Sequence, residues 1–444
     1  MRFIPTTYAS DAVEAATYRK LQWRLIPFLM FCYLISYLDR INVGFAKLQM
    51  LDDLRFSETV YGLGAGVFFL GYILFGVPSN AALKRVGTKR WIACIMVTWG
   101  MLSGLMAFVA TPAQFFVLRF LLGAAEAGFL PGVILYLTSW FPDRRRARVI
   151  ALFQMAIPLA GLFGGPLSGW IMDHMNIHAG LRGWQWLFLI EALPAVLAGM
   201  VTLAWLDNGI AQARWLDAEQ KALLLRHLTA ERAPEPQLHA AGVFTDWRVW
   251  IQGCLVLGFA MGLYGISFWM PTILKDAAVL SLTQIGWLSM IPNLAPILAM
   301  FLFARSSDLS GERRWHVACA GLLGASGLVG TVLFQYHLGL ALISLSLATS
   351  GVVSALPMQW GLLNRFAAGS GTAAAIALIN SIGNLGGITS PALLGWLKDK
   401  TLSLDAGLYV VAGCVLASGL LALSFPRNKL TRTGSSPSRE SDVS

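Results

Sequence analysis

Long apolar stretches make up most of this chain, and their number and length limit what it can fold into. About a dozen of them follow one another with short connections, and each holds roughly the 20 residues that a helix needs to cross a bilayer. The apolar fraction of 56% and the charged fraction of 13% are typical of a polytopic membrane protein. The sequence predicts an all-α membrane protein with twelve transmembrane helices, near residues 25–46, 59–80, 91–109, 112–138, 148–171, 184–205, 248–270, 284–303, 317–335, 338–361, 372–397 and 406–425.

The basic residues are divided unevenly between alternate connections. Of the 33 Lys and Arg residues, 25 lie on the side of the N-terminus, six lie on the opposite side, and Arg40 and Arg119 fall inside predicted spans. Cytoplasmic loops carry such an excess of positive charge. We therefore expect both termini in the cytoplasm, and we attribute the net charge of +10 to topology rather than to a nucleic-acid partner.

A segment of the first half of the chain recurs in the second half. Residues 150–173 and 376–399 are identical at nine of 24 positions with a constant offset of 226, including the final Asp. Such a repeat predicts two pseudo-symmetric six-helix bundles, with the substrate site between them near the membrane midplane. The expected bundles are residues 1–205 and 247–426, joined by a cytoplasmic linker at 206–246, and residues 427–444 form a disordered cytoplasmic tail.

Charged residues interrupt the apolar stretches of the first half only. Asp39, Arg40, Arg119 and Glu126 lie deep in predicted spans, and Glu191 lies a few residues into the sixth. A charge at bilayer depth costs about 3 kcal/mol on insertion scales and is retained mainly beside a partner or a water-filled path. Arg119 and Glu126 share a helix face, so an inert buried salt bridge is one interpretation and an ion and substrate pathway is the other. We expect the first bundle to carry ion coupling and the second to shape a neutral pocket.

Several neutral polar residues are candidates for that pocket. Gln154 corresponds to Asn380 in the repeat, and two amides at equivalent places are suited to face each other across a central cavity. Hydrogen bonding between helices is the alternative role for both amides, and packing is favoured for Asn384, one turn further on. Two tyrosines of the first half, Tyr37 and Tyr72, are expected near the same cavity.

Three segments of the chain resemble one known family. The runs YLDRINVGFAKLQM, LRFLLGAAEAGFLPGVILYLTSWFP and IALINSIGNLGG are similar to the anion:cation symporter group of the major facilitator superfamily, and the resemblance extends over about residues 18–426. It implies the major facilitator fold, alternating access by rocking of two bundles, and proton-driven uptake of organic anions through a bacterial inner (plasma) membrane. Relatives of this group carry tartrate, sugar acids such as galactonate and glucarate, and phthalate and related aromatic acids.

The resemblance also implies roles for individual residues. By matching position, Arg40 would bind the substrate carboxylate, and its planar guanidinium suits a carboxylate better than Lys would. Asp39 and Glu126 would be the protonatable pair, with Arg119 as the partner of Glu126. The remaining substrate-binding positions would be Tyr37, Tyr72, Gln154 and Asn380. The group often has an aromatic pair before Ala-Leu-Pro in the tenth helix, where this chain has Val353 and Ser354, which leaves the substrate open.

Other classes of function predict other residues. A proton-coupled exporter of drugs or metabolites with the same fold would also use membrane carboxylates, but it does not need paired arginines for cationic cargo. An enzyme would need a nucleophile and base or a metal site, whereas the spans contain no His and the five cysteines are not at ligand spacing. We expect no enzymatic activity, no metal and no cofactor beyond the proton gradient. The expected partners of this monomer are a small organic anion, protons and the lipid bilayer.

Overall fold

The computed structural model describes residues 6–230, 244–363 and 372–425, and helices account for nearly all of them. The predicted disordered tail and residues 231–243 of the predicted linker lie outside these ranges. The α-helices are α1 (Thr6–Leu54), α2 (Glu58–Val86), α3 (Thr88–Leu105), α4 (Pro112–Glu126), α5 (Phe129–Thr138), α6 (Asp143–Gln154), α7 (Ala156–His174), α8 (Gly183–Trp205), α9 (Ala218–Ala230), α10 (Trp247–Ala277), α11 (Leu282–Ser310), α12 (Arg314–Leu333), α13 (Leu338–Leu363), α14 (Thr372–Thr401) and α15 (Asp405–Leu421).

Eleven segments of the described chain are long and apolar enough to cross a bilayer. The helix at the place of the predicted eleventh span, α14, is not among these eleven. Its 30 residues nevertheless rise by roughly 45 Å, which is enough to cross a bilayer with its headgroup regions. With α14 the described helices match the twelve predicted spans, and the predicted all-helical membrane fold is confirmed.

Two of the predicted spans are each broken into two helices. The fourth span becomes α4 and α5, with the break directly after Glu126, and the fifth becomes α6 and α7, with the break directly after Gln154. A proline follows each break by a few residues, and proline has no N–H to donate. Pro158 withholds a hydrogen bond from the carbonyl of Gln154, four residues earlier, and Pro131 withholds one from residue 127. The breaks therefore lie beside two of the predicted site residues.

Helices α1–α8 pack mainly among themselves, and so do helices α10–α15. The closest packing between the two sets joins α2 with α14 and α7 with α11, and α1 also lies against α10. Glycine makes one of these contacts possible: a Cβ atom on Gly286 would lie 2.3 Å from the carbonyl oxygen of Gly165. Small residues of this kind let the backbones of membrane helices touch.

Two aspartates join the halves on the face opposite the N-terminus, which we call the outer face, following the orientation that the basic residues predict. Asp173, at the end of α7, accepts hydrogen bonds from the backbone N–H of Thr283 at 2.7 Å and from its hydroxyl at 2.6 Å, at the start of α11. Asp399, at the end of α14, accepts from the N–H groups of Glu58 at 3.1 Å and Thr59 at 2.8 Å, at the start of α2. We call these contacts the outer caps.

An ionic network reinforces the closure of the outer face. The Lys47 Nζ lies 2.7 Å from one carboxylate oxygen of Glu58, and the other oxygen lies 3.0 Å from the Nζ of Lys398 in the second half. Lys47 also donates to the Thr272 hydroxyl at 3.0 Å across the interface. In the conformer described here, the outer ends of the two halves are therefore held together.

Candidate functional site

A cavity of about 600 Å³ lies between the two halves. Its wall is formed by α1, by the junction of α6 and α7, and by α10, α11 and α13. Among its few polar wall groups are Tyr37 and Gln154 from the first half and Asn293 and Thr349 from the second. Most of the wall is apolar, and its larger members include Phe45, Met155, Leu263, Met270, Met300, Leu356 and Trp360. This wall can enclose a small molecule with an apolar body and few polar groups.

Arg40 and Glu126 form an ion pair behind Tyr37, which lines this cavity. The Nη2 atom of Arg40 donates to Oε1 of Glu126, and the Ser36 hydroxyl donates to the same oxygen at 2.6 Å. The exposed fraction of the side chain is 11% for Arg40 and 4% for Glu126. Both charges are therefore largely removed from solvent. In such a buried place an arginine and a carboxylate interact much more strongly than in water.

Aromatic rings surround the Arg40 guanidinium. Its Cζ lies 5.6 Å from the ring centroid of Tyr37, 5.3 Å from that of Phe68 and 5.4 Å from that of Tyr72. All three distances are within the range of a cation–π contact. Arg40 itself is not in the cavity wall, but Tyr37 both lines the cavity and contacts Arg40. Tyr37 therefore links the cavity to the ion pair.

The expected pairing of Arg119 with Glu126 is wrong. Arg119 is fully buried, its Nε donates to the backbone carbonyl of Gly64 at 3.3 Å, and its guanidinium lies 5.0 Å from the Phe68 ring. Seven residues along a helix correspond to a rise of roughly 10 Å, too long for direct contact unless both side chains turn toward each other. Arg40 approaches Glu126 from a neighbouring helix instead, which the spacing within α4 does not reveal.

Asp39 points away from the Arg40–Glu126 pair into a separate buried cluster. It accepts hydrogen bonds from the Ser103 hydroxyl and, at 3.3 Å, from the side-chain amide of Asn42. The same amide donates to Glu191 at 2.9 Å. The sequence marks Glu191 as a charge within a span but predicts no role for it, and it gives no prediction for Asn42. The signal for Asn42 is an amide one helical turn after Asp39, on the same face of α1.

The two repeat-related amides do not face each other across the cavity. Gln154 lines it, whereas neither Asn380 nor Asn384 on α14 belongs to the wall. Among the described residues, the side-chain amide of the second half that lines the cavity is Asn293, on α11. The local backbones differ as well, since α6 ends at Gln154 and α14 continues as a helix through the equivalent position.

A sequence model of one family matches both halves of the chain. The family is described as the Major Facilitator Superfamily, and the matches cover residues 29–280 and 260–443. Together they span most of the sequence, including every residue of the cavity wall.

Three curated relatives match nearly their whole length. A Pseudomonas putida protein named as a metabolite transport protein, NicT, is 47% identical, and the match covers 96% of this chain and 99% of that protein. An Agrobacterium vitis protein named as a tartrate transporter is 46% identical, with 96% and 95% covered. A quinolone resistance transporter of Acinetobacter baumannii is 39% identical, with 94% and 96% covered. The relatives are transporters and not enzymes.

The fold also matches solved structures of membrane transporters. The crystal structure of a D-xylose–proton symporter superposes with a TM-score of 0.70, covering 92% of this chain and 98% of that one. The sequence identity is 18%, so this similarity concerns the fold alone.

Proposed function

The chain belongs to the major facilitator superfamily, and on that premise we propose that it is a proton-coupled secondary transporter that imports a small organic carboxylate by alternating access. The observation that carries this proposal is the Arg40–Glu126 ion pair beside the central cavity. A substrate carboxylate and the Glu126 side chain are the same chemical group. They therefore compete for one guanidinium.

This competition couples substrate to proton. An arginine left without an anion in a buried site costs several kcal/mol, so Arg40 needs one carboxylate or the other. When Glu126 takes up a proton it loses its charge and releases Arg40, which can then hold the substrate through two parallel hydrogen bonds. When the substrate leaves, Glu126 gives up its proton and returns to Arg40. Carrying a proton with the anion also reduces the net charge that crosses the membrane.

Tyr37 supports the path from the cavity to Arg40. Its ring faces the cavity and also lies beside the guanidinium. A rotation of the Tyr37 side chain would therefore open the cavity to Arg40. The aromatic neighbours Phe68 and Tyr72 keep Arg40 in place by cation–π contacts while its carboxylate partner changes. Binding requires exchange of the anion but no large movement of the arginine.

The cavity wall favours carboxylates with an apolar or aromatic body over strongly hydroxylated acids. Sugar acids need a hydrogen-bonding partner for each hydroxyl, because burial without one is costly. The wall offers few such partners, and Val353 stands where the related group often has an aromatic residue. Tartrate remains a candidate through the relative named as a tartrate transporter, and phthalate-like aromatic acids match the wall.

The direct test is uptake of labelled acids by proteoliposomes under an imposed pH gradient. Tartrate, glucarate and phthalate represent the three chemical types. We expect at least one to accumulate when the outside is acidic, and we expect a proton ionophore to abolish the accumulation. Uptake that is unchanged by the ionophore and by the sign of the gradient would contradict proton coupling.

Export of amphipathic compounds is the second candidate function. It is favoured by the apolar cavity wall and by the relative named as a quinolone resistance transporter. The two functions differ in the direction of flow relative to protons. A symporter accumulates substrate on the side to which protons move, and a proton-driven exporter accumulates it on the side from which they come. The same vesicles, assayed with both signs of the gradient, distinguish the two.

A further inference from the structure

A second group of buried acids lies in the first half, apart from the Arg40–Glu126 pair. Asp39 and Glu191 are on α1 and α8, and their exposed fractions are 3% and 5%. One side chain connects them: the Nδ2 atom of Asn42 donates to Oδ1 of Asp39 at 3.3 Å and to Oε2 of Glu191 at 2.9 Å. Two serine hydroxyls complete the group, from Ser103 to Asp39 and from Ser168 to Glu191 at 3.1 Å.

No cation contacts this group in the part of the chain that the structure describes. The donors to both carboxyls are an amide and two hydroxyls, and neither acid belongs to an ion pair among the described residues. The charged groups that face Asp39 from α4 are Arg119 and Glu126, which act on it from a distance. Two negative charges joined by one neutral amide are unstable in a low-dielectric interior.

The hydrogen bonds indicate which carboxyl oxygen would carry a proton that neutralises one of the two charges. Three of the four carboxyl oxygens accept a hydrogen bond, whereas Oδ2 of Asp39 is buried without a partner, and so is the amide oxygen of Asn42. A proton on Oδ2 converts this buried acceptor into a donor, and the unpaired Asn42 oxygen is a buried acceptor on the residue that already bonds Asp39. The Asn42 nitrogen occupies the place between the two acids, where a bridging metal ion would have to lie.

We propose that Asp39 and Glu191 form one proton-binding pair, connected by Asn42, in which the charge of Glu191 keeps the shared proton on Asp39. Glu191 is then a positioning residue that acts through the field at Asp39 and does not touch the substrate. The role of the pair in transport rests on the proposed function, whereas proton binding by the pair does not. The two statements can therefore fail separately.

Infrared spectroscopy of purified, substrate-free protein tests the pair directly. The absorption of a protonated carboxyl is recorded over a range of pH, and subtraction of the Asp39→Asn spectrum isolates the contribution of Asp39. We expect Glu191→Gln to lower the pH midpoint of this band by about one unit or more, because it removes a negative charge several ångströms from the proton. We expect Ser103→Ala to raise the midpoint, because its hydroxyl stabilises the charged form of Asp39.

Two further variants separate a field effect from a packing effect. Thr202→Val removes a buried hydroxyl from the same helix as Glu191. This hydroxyl bonds only to other groups of the first half and to neither acid. The variant should therefore leave the midpoint unchanged. Glu191→Asp keeps the charge and should shift the midpoint by less than half as much as the Gln variant, which also provides a readout if the Gln variant does not fold. A band that persists in Asp39→Asn, or an unchanged midpoint in both Glu191→Gln and Ser103→Ala, would overturn the inference. Normal infrared shifts in a protein without gradient-driven uptake would instead refute the proposed function alone.

Discussion

The two halves of this protein share a repeated segment, but they differ most at the centre of the molecule. The buried side chains of the first half include Asp39, Arg119, Glu126 and Glu191, whereas the buried polar side chains in the described part of the second half are all uncharged. The halves agree at the outer face, where Asp173 and Asp399 occupy equivalent repeat positions and contact equivalent helix starts. Both halves therefore contribute equivalent contacts to the closure of the outer face, whereas the buried charged side chains of the described chain lie in the first half.

The backbone follows the same division. Helix α6 ends at Gln154, shortly before Pro158, whereas the equivalent position in the second half is Asn384 and α14 continues through it. Helix α4 ends at Glu126, shortly before Pro131, whereas α13 continues through Pro357, the repeat equivalent of Pro131. Helix breaks therefore lie beside Glu126 and Gln154 in the first half, and the equivalent helices of the second half are continuous.

The largest expected effect is that of Arg40→Lys, which tests whether the charged half binds the substrate. Lys keeps the charge but cannot form the two-pronged contact, so we expect a loss of substrate affinity of roughly ten- to a hundredfold. Binding is measured by thermal stabilisation with the acid that the uptake assay identifies. Arg182→Lys is the matched control, because Arg182 is half-exposed and pairs with Asp53 at 3.5 Å near the outer face. Near-normal affinity in Arg40→Lys would remove the arginine from the substrate site.

A smaller effect is expected from the amides of the second half. Asn293→Ala should weaken substrate binding up to about tenfold, because its amide lines the cavity, whereas Asn380→Ala should change affinity less than about twofold. Titration of both variants with the same acid gives the comparison. A larger loss in Asn380→Ala would restore the symmetric pocket that the repeat suggests.

The smallest effects are expected where the halves are alike. Asp173→Asn and Asp399→Asn each weaken one outer cap, by about 1 kcal/mol, since each removes a negative charge from a helix N-terminus. We expect both variants to increase amide hydrogen exchange in the first turn of α11 and of α2, respectively, to a similar extent. Ser281→Ala, which removes a cap contributed by the α11 segment itself, is the control for local fraying. Strongly unequal responses would show that the two outer caps are not equivalent.

Much of the fold could be predicted from the sequence because its signals are local. Apolar stretches of fixed length predict spans, and the repeat predicts which helices correspond, including the two aspartates of the outer caps. Arg40 and Glu126 could be selected one by one because a charge in an apolar stretch is costly wherever it lies. These signals need no knowledge of which helices touch.

The contacts within the site could not be predicted in this way. Glu126 pairs with Arg40 because the Arg40 side chain reaches it from α1, whereas helix spacing alone suggested Arg119. Gln154 lines the cavity and Asn380 does not, and equivalent positions in a repeat do not show this difference. Glu191 receives its hydrogen bonds from two other helices, so its position in the sequence indicates a costly charge but does not identify its partners.

Glu126 is the residue that we propose carries the coupled proton. Glu126→Gln mimics the permanently protonated state, so it should release Arg40 and preserve substrate binding. Exchange of internal for external substrate needs no net release of protons and should continue, whereas uphill uptake driven by a pH gradient requires that release and should disappear. Both activities are measured in the same liposome preparation, with folding checked by a melting curve. Full gradient-driven uptake by Glu126→Gln would contradict this role of Glu126. A parallel loss of both activities together with stability would also contradict it, because that result is expected of a purely structural ion pair.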